Sequence, residues 1–232
     1  MIAFPAAATL VSTIFAIQLL TSYAHRKRLP QLAWGIAMTM YAVASLAVAA
    51  GVSGGWDPTL YRLYWLFGAC LNVPYLALGS VALLQRKPVT VTVLLFVVVA
   101  TIIAVGVVAS SSIHSAAVGT KDIPRGSTAW GKGTLSAKLP TYTSIPAYVI
   151  VVLIAIASSR GRRLPLHRVR GNWLIAIGST LVAAGAPFAR YGRGSAFSVF
   201  LAVGVIVMFL GFRLASRAPR PAPPPHAAMT EG

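Results

Sequence analysis

Seven long apolar stretches run the length of the chain, each set off from the next by a polar segment. The pattern predicts helices over residues 2–24, 31–52, 59–84, 89–110, 143–159, 172–189 and 195–215. About 20 apolar residues in a helix cross about 30 Å of hydrocarbon. In that medium each backbone N–H and C=O must pair within its own segment, which an α-helix achieves and an open strand does not. The expected fold class is all-α: a seven-helix transmembrane bundle forming one domain over residues 1–215. Two segments break the pattern. Residues 111–142 are rich in Gly, Ser, Thr and Lys and are expected to be an outer loop, partly ordered as a lid, with Trp130 and Tyr142 to pack. Residues 216–232 carry Arg-Pro-Ala-Pro-Pro-Pro and are expected to form a disordered cytoplasmic tail of polyproline character.

Charge gives this bundle a direction. The chain has 20 Lys and Arg against 3 Asp and Glu, and only 10% of it is charged, where a soluble domain carries about 25%. Arg26, Lys27, Arg28, Arg86, Lys87 and the arginines of residues 160–170 fall on one side of the seven stretches. Short basic loops stay in the cytoplasm, so the N-terminus is expected outside and the C-terminus inside, in a bacterial plasma membrane. No basic residue precedes the first stretch, which therefore reads as a span rather than a cleaved leader. The same placement argues against nucleic acid as a partner, because the basic residues cap apolar runs instead of covering one soluble face. The expected partners are membrane lipids, with anionic headgroups on the cytoplasmic side adding about 1 kcal/mol per Lys or Arg. A membrane or cytoplasmic protein partner stays open.

Absences narrow the chemistry. No Asp, Glu or Lys lies inside an apolar stretch, which argues against an intramembrane proton relay and a retinal Schiff base. Cys70 is the single cysteine, and His25, His114, His167 and His226 lie in separate segments, so no metal or haem set is expected. No nucleophile elbow, dinucleotide fingerprint or phosphate loop occurs. No catalytic residue, metal ligand or cofactor is assigned, and the expectation leans away from an enzyme.

The third stretch holds most of the candidate ligand contacts. Residues three and four apart share a helix face, which groups Tyr61, Trp65, Gly68, Asn72, Tyr75 and Gly79. Asn72 lies mid-bilayer, where an unpaired amide is costly. Pro74 lacks an N–H, so the Cys70 carbonyl loses its helical partner and a kink is expected. Gln18 is the other strong polar group at depth and is a candidate partner for Asn72. Arg62, with Asp57 nearby, and Tyr64 extend the set to an aromatic, basic outer mouth. The candidate ligand residues are thus Gln18, Tyr61, Arg62, Tyr64, Trp65, Asn72 and Tyr75. For each a structural role competes: hydrogen bonding within a packed bundle for the amides, interfacial anchoring for the aromatics and Arg62.

The stretch from Tyr61 to Leu84, with its Tyr-Arg-Leu-Tyr-Trp-Leu-Phe-Gly start and Leu-Asn-Val-Pro centre, resembles uncharacterised polytopic membrane proteins of actinobacteria. That resemblance implies a bacterial membrane protein and carries no activity. The seven-stretch layout resembles the membrane sensor modules fused to histidine kinases, without a kinase domain. Arg28-Leu29-Pro30 before Trp34, echoed by Arg163-Leu164-Pro165 before Trp173, also resembles the 3+1+3 layout of the seven-span sugar transporters called SWEETs. The expected function is non-enzymatic binding or sensing of a small molecule or lipid. A facilitative small-solute transporter and a lipid-modifying membrane enzyme are the alternatives.

Overall fold

The computed structural model describes residues 3–83, 87–114, 119–160, 165–190 and 194–215. The segment 216–232, expected to be a cytoplasmic tail, lies outside the described residues. All regular structure among the described residues is helical. Seven long helices occupy the apolar stretches: α1 (Ala3–Arg26), α2 (Leu29–Gly54), α3 (Pro58–Leu83), α4 (Lys87–Ser110), α5 (Leu135–Arg160), α6 (Leu166–Arg190) and α7 (Gly194–Ala215). Five of them, α1 to α4 and the 135–158 portion of α5, are long and apolar enough to cross a membrane, and residues 202–215 of α7 form a shorter apolar run. The outward face of α4 carries Leu94, Leu95, Val98, Val99, Ile102 and Ile103, all exposed. A surface of that kind suits hydrocarbon and not water.

Local chemistry sets the helix ends. Lys27 closes α1 in the left-handed conformation (φ 49°), its amide donating to the Tyr23 carbonyl at 2.7 Å. Pro30 then opens α2 in its first turn, so α1 and α2 form a tight hairpin. Asp57 caps α3, its carboxylate accepting from the amides of Thr59 at 2.7 Å and Leu60 at 3.0 Å, with Pro58 at the first helical position. The expected partnership of Asp57 with Arg62 gives way to this cap.

One boundary departs from the hydrophobic pattern. The fifth stretch looked shortest, at 143–159, yet α5 starts at Leu135 and runs 26 residues. Ser136, Lys138, Pro140 and Pro146 disguise its first turns as loop. Pro140 and Pro146 lie inside the helix and each removes a backbone donor, and the Ser136 carbonyl four residues before Pro140 accepts from Trp65 Nε1 at 3.0 Å instead. Tyr142, expected to anchor the loop, instead projects from α5 and is exposed.

Two hairpins pack differently. In α6 and α7 four glycines pair across an antiparallel contact, Gly171 with Gly211 and Gly178 with Gly204. A Cβ on Gly178 would lie 2.6 Å from the Gly204 carbonyl oxygen, and one on Gly211 would lie 2.8 Å from that of Gly171. These backbones touch with no side chain between them, the close approach small residues permit in membranes. Elsewhere glycines seat tryptophans: the Trp34 ring lies against Gly79, Trp56 against Gly51 and Trp65 against Gly126. The first and third tie two separate parts of the chain together.

Candidate functional site: a lidded cavity in the bundle

Within α3 the backbone winds wide. Residues Tyr64–Leu71 form a π-helical run, and the Asn72 amide donates to the Phe67 carbonyl five residues back. Pro74 explains the run and its location. Without an N–H it cannot serve the carbonyl four or five residues earlier, Cys70 or Ala69. The Ser144 hydroxyl of α5 supplies the missing donor, lying 2.6 Å from the Ala69 oxygen and 3.3 Å from that of Cys70. Removing it by Ser144→Ala leaves a buried carbonyl short of a partner and is expected to cost about 1–3 kcal/mol. In a Pro74→Ala background, where a backbone N–H returns, the same change should cost less than half as much. A double-mutant cycle on thermal unfolding midpoints in detergent reads this coupling, and strict additivity would refute it.

The wide turns change which residues share a face. Tyr64, Gly68, Asn72 and Leu76 now line up at four-residue steps and border a cavity of about 450 Å³. Tyr41, Ser45 and Val48 of α2 form the second wall, and Thr141, Ser144 and Tyr148 of α5 the third. Ser179 and Val182 of α6 and Met208 of α7 close the floor. Residues 123–126 of the loop form the roof, placing Arg125 at the mouth as the lining's charged group. The volume and the mix of aromatic walls with sparse polar groups match an ordinary small-molecule pocket. Among the described residues its lining contains no His, Cys, Asp or Glu. Among the described residues no three His, Cys, Asp or Glu side chains come together in a metal-holding group.

Asn72 is buried at 4% exposure and donates a long bond, 3.3 Å, to the Ala37 carbonyl of α2. The expected hydrogen bond across the bundle therefore forms, with a backbone oxygen as acceptor. One amide N–H and the side-chain carbonyl remain beyond that bond, on a residue that borders the cavity.

Residues 119–134 of the loop are folded over the mouth. Trp56 donates its amide to Thr120 at 2.9 Å and accepts from Gly119 at 2.8 Å, while His114 donates to Ala129 at 2.9 Å. A single helical turn, Gly126–Ala129, carries the chain to Trp130, which is 3% exposed. Trp130 packs 5.7 Å from Tyr61, which also stacks on Trp65 at 5.7 Å and meets the edge of Trp56 at 5.9 Å. Trp65 joins lid and cavity: it lines the space, lies against Gly126 and donates Nε1 to the Ser136 carbonyl at 3.0 Å.

Of the seven residues singled out from sequence, Asn72, Tyr64 and Trp65 border the cavity. Tyr61 sits behind them, buried in the aromatic cluster. Arg62 is turned elsewhere: its Nη2 donates to the Ser111 carbonyl at 2.8 Å, a cation serving the last turn of α4. Tyr75 faces α4, its hydroxyl 3.3 Å from that of Thr101. Gln18 lies on the exposed face of α1, away from Asn72, because that helix packs through Ala8, Ser12, Phe15, Ala16 and Leu19. Sequence reasoning passed over Tyr41, Ser45, Ser144, Tyr148 and Ser179. Their signal was faint: hydroxyls at helical spacing, 41 with 45 and 144 with 148, that also fit local bonding to the helix itself.

Comparison with protein-family models, with curated proteins and with solved structures finds no match to this chain. The class argued from the molecule itself is a helical bundle suited to a membrane and holding an internal, lidded pocket.

Proposed function

We propose that this chain is a seven-span protein of a bacterial plasma membrane that binds a small amphipathic molecule inside its bundle. The lid end faces out and the basic end, with Arg26, Lys27 and Arg28, faces the anionic cytoplasmic leaflet. The observation that carries this reading is the cavity of about 450 Å³ beneath the folded lid. Its chemistry defines the guest. Ser45 and the Asn72 amide offer hydrogen bonds along the walls, beside the aromatic faces of Tyr41 and Tyr64. Arg125 favours an acceptor-rich or anionic head at the mouth, and Val73, Leu76 and Met208 take an apolar body below. The lining carries no acid–base pair, so the reading is binding or sensing. Occupancy would be passed on to a partner protein through the basic loops.

Protein extracted with its native lipids and examined by mass spectrometry is expected to retain one such molecule per chain. Ala137→Phe, which fills the space beneath the lid, is expected to weaken retention at least about tenfold while leaving the thermal unfolding midpoint within about 3 °C of wild type. An empty wild-type protein, or equal retention by the filled variant, would sink the proposal.

A further inference from the structure

A buried aromatic cluster lies behind the cavity wall at Leu76. Trp34 of α2 is fully buried, lies against Gly79 and donates Nε1 to the Leu76 carbonyl at 3.4 Å. Phe212 of α7 packs on it at 4.5 Å, and Phe15 of α1 lies 5.1 Å from Phe212. The cluster is therefore where the α1–α2 hairpin meets the α6–α7 hairpin. Each hairpin is closely packed within itself: a Cβ on Gly35 would meet Leu20 at 2.7 Å, and α6 and α7 touch backbone to backbone. Between the hairpins these rings meet within a larger buried cluster that also takes in Phe209, 4.6 Å from Phe15, and Ala8, Ala16 and Val205.

Polar positions continue beyond this cluster. On α2, Gln31 precedes Trp34 by one turn, on the stripe that leads to Tyr41 and Ser45. On α6, Asn172 precedes Ser179 by two turns on the stripe that reaches the cavity. Both are buried, Gln31 at 6% and Asn172 at 2% exposure. Gln31 Oε1 and both amide atoms of Asn172 have no hydrogen-bond partner among the described residues. An unpartnered buried amide is expensive in any interior and more so in hydrocarbon. A second arrangement that wets these groups gives them a role.

We infer that the Trp34–Phe212 plug is a gate, and that the bundle passes the guest of its cavity between the lid end and the basic end. Gln31 and Asn172 line the far half of that path. This rests on the binding reading above and adds vectorial passage to it. In the closed arrangement the guest space communicates toward the lid. When the hairpins part at Phe15, Trp34 and Phe212, water and guest reach Gln31 and Asn172.

The test uses full-length chain with Cys70→Ala as a cysteine-free background and a membrane-impermeant maleimide applied to either face. Ser127→Cys in the exposed lid reports which face each preparation presents. Ser45→Cys is expected to label from the lid side, and Gln31→Cys and Asn172→Cys from the opposite side. Trp34→Ala or Phe212→Ala is expected to raise labelling of Asn172→Cys about tenfold, as when a state populated at about 1% rises to about 10%, and to open Ser45→Cys to the basic side. If Ser45→Cys labels from the lid while Gln31→Cys and Asn172→Cys label from neither face, the gate is refuted and the pocket stands. If Ser45→Cys is unreachable from both faces and nothing is retained in mass spectra, the pocket itself fails. Should a plug variant not fold, labelling of Gln31→Cys and Asn172→Cys with the plug intact decides alone: reaction supports the gate and silence overturns it.

Discussion

Gly178→Leu is expected to lower the thermal unfolding midpoint by at least about 6–12 °C, or to leave no folded protein to measure. The reason is backbone, not side chain. A Cβ on Gly178 would sit 2.6 Å from the Gly204 carbonyl oxygen and 2.8 Å from the Met208 amide nitrogen. A neighbouring side chain in that position would rotate away; a helix backbone cannot. The two helices must separate, and the paired contacts at Gly171 and Gly211 loosen with them. Overpacking a core costs about 1–3 kcal/mol when side chains yield, so a displaced helix pair should cost at least about 3 kcal/mol. For a chain of this size that is a shift of about 2–4 °C per kcal/mol. Gly178→Ala should show the lower part of the effect. Gly106→Leu on α4 is the control, since a Cβ there meets nothing within 4 Å and glycine is a poor helix former by about 1 kcal/mol. A midpoint for Gly178→Leu within about 2 °C of wild type would show that the helices do not meet through these glycines.

Trp130→Ala is expected to unlatch the lid without unfolding the bundle. Trp130 is 3% exposed and lies against Tyr61 at the centre of the aromatic cluster. Truncating a buried tryptophan costs about 3–5 kcal/mol. Here the loss falls on a segment held otherwise by backbone bonds at Trp56 and at His114, by Trp65 against Gly126 and by the buried Ala129. Local opening draws on just such weakly held units. Where opening is fast relative to cleavage, proteolysis follows the open population, and about 3 kcal/mol corresponds to about 100-fold. Trypsin added to detergent-solubilised protein should therefore cut after Lys121, Arg125 or Lys132 about 100 times faster in the variant, at temperatures well below the unfolding midpoint. Unchanged cleavage would mean that the indole does not hold the lid. If the pocket binds its guest beneath this lid, the same variant should also release retained molecules more readily.

How much of this was legible in the sequence depends on whether the deciding contact was local. Asp57 before Pro58 is a cap signal carried within a few residues, though the sequence pattern pairs Asp57 with Arg62. Pro74 announced a broken ladder because the missing N–H is a property of proline alone. What filled the gap, the hydroxyl of Ser144, lies 75 residues from Ala69 in the chain, and no pattern within α3 points to it. The π-helical run that accompanies the gap also changed the face of α3. A regular helix groups Tyr61 with Gly68 and Asn72; Tyr61 instead sits in the lid cluster, and Tyr64 borders the cavity beside Gly68 and Asn72. Gln18 was misplaced for another reason. A helix apolar on every side offers no period from which to read its packed face, so the more polar residue drew attention while Ser12 took the buried position. Arg62 was read by its depth, and its acceptor, the Ser111 carbonyl, comes from the far end of another helix.

The amino-acid order by itself determined that this chain is helical and suited to hydrocarbon, because solvent imposes those demands on each segment separately. Apolar length, the want of acidic residues and the polar punctuation needed no knowledge of neighbours. Tertiary structure decided where the interior is empty, which hydroxyls face it, which glycines let two backbones touch and which tryptophans are buried. Those outcomes depend on distances between residues far apart in the chain, set when whole helices pack against one another.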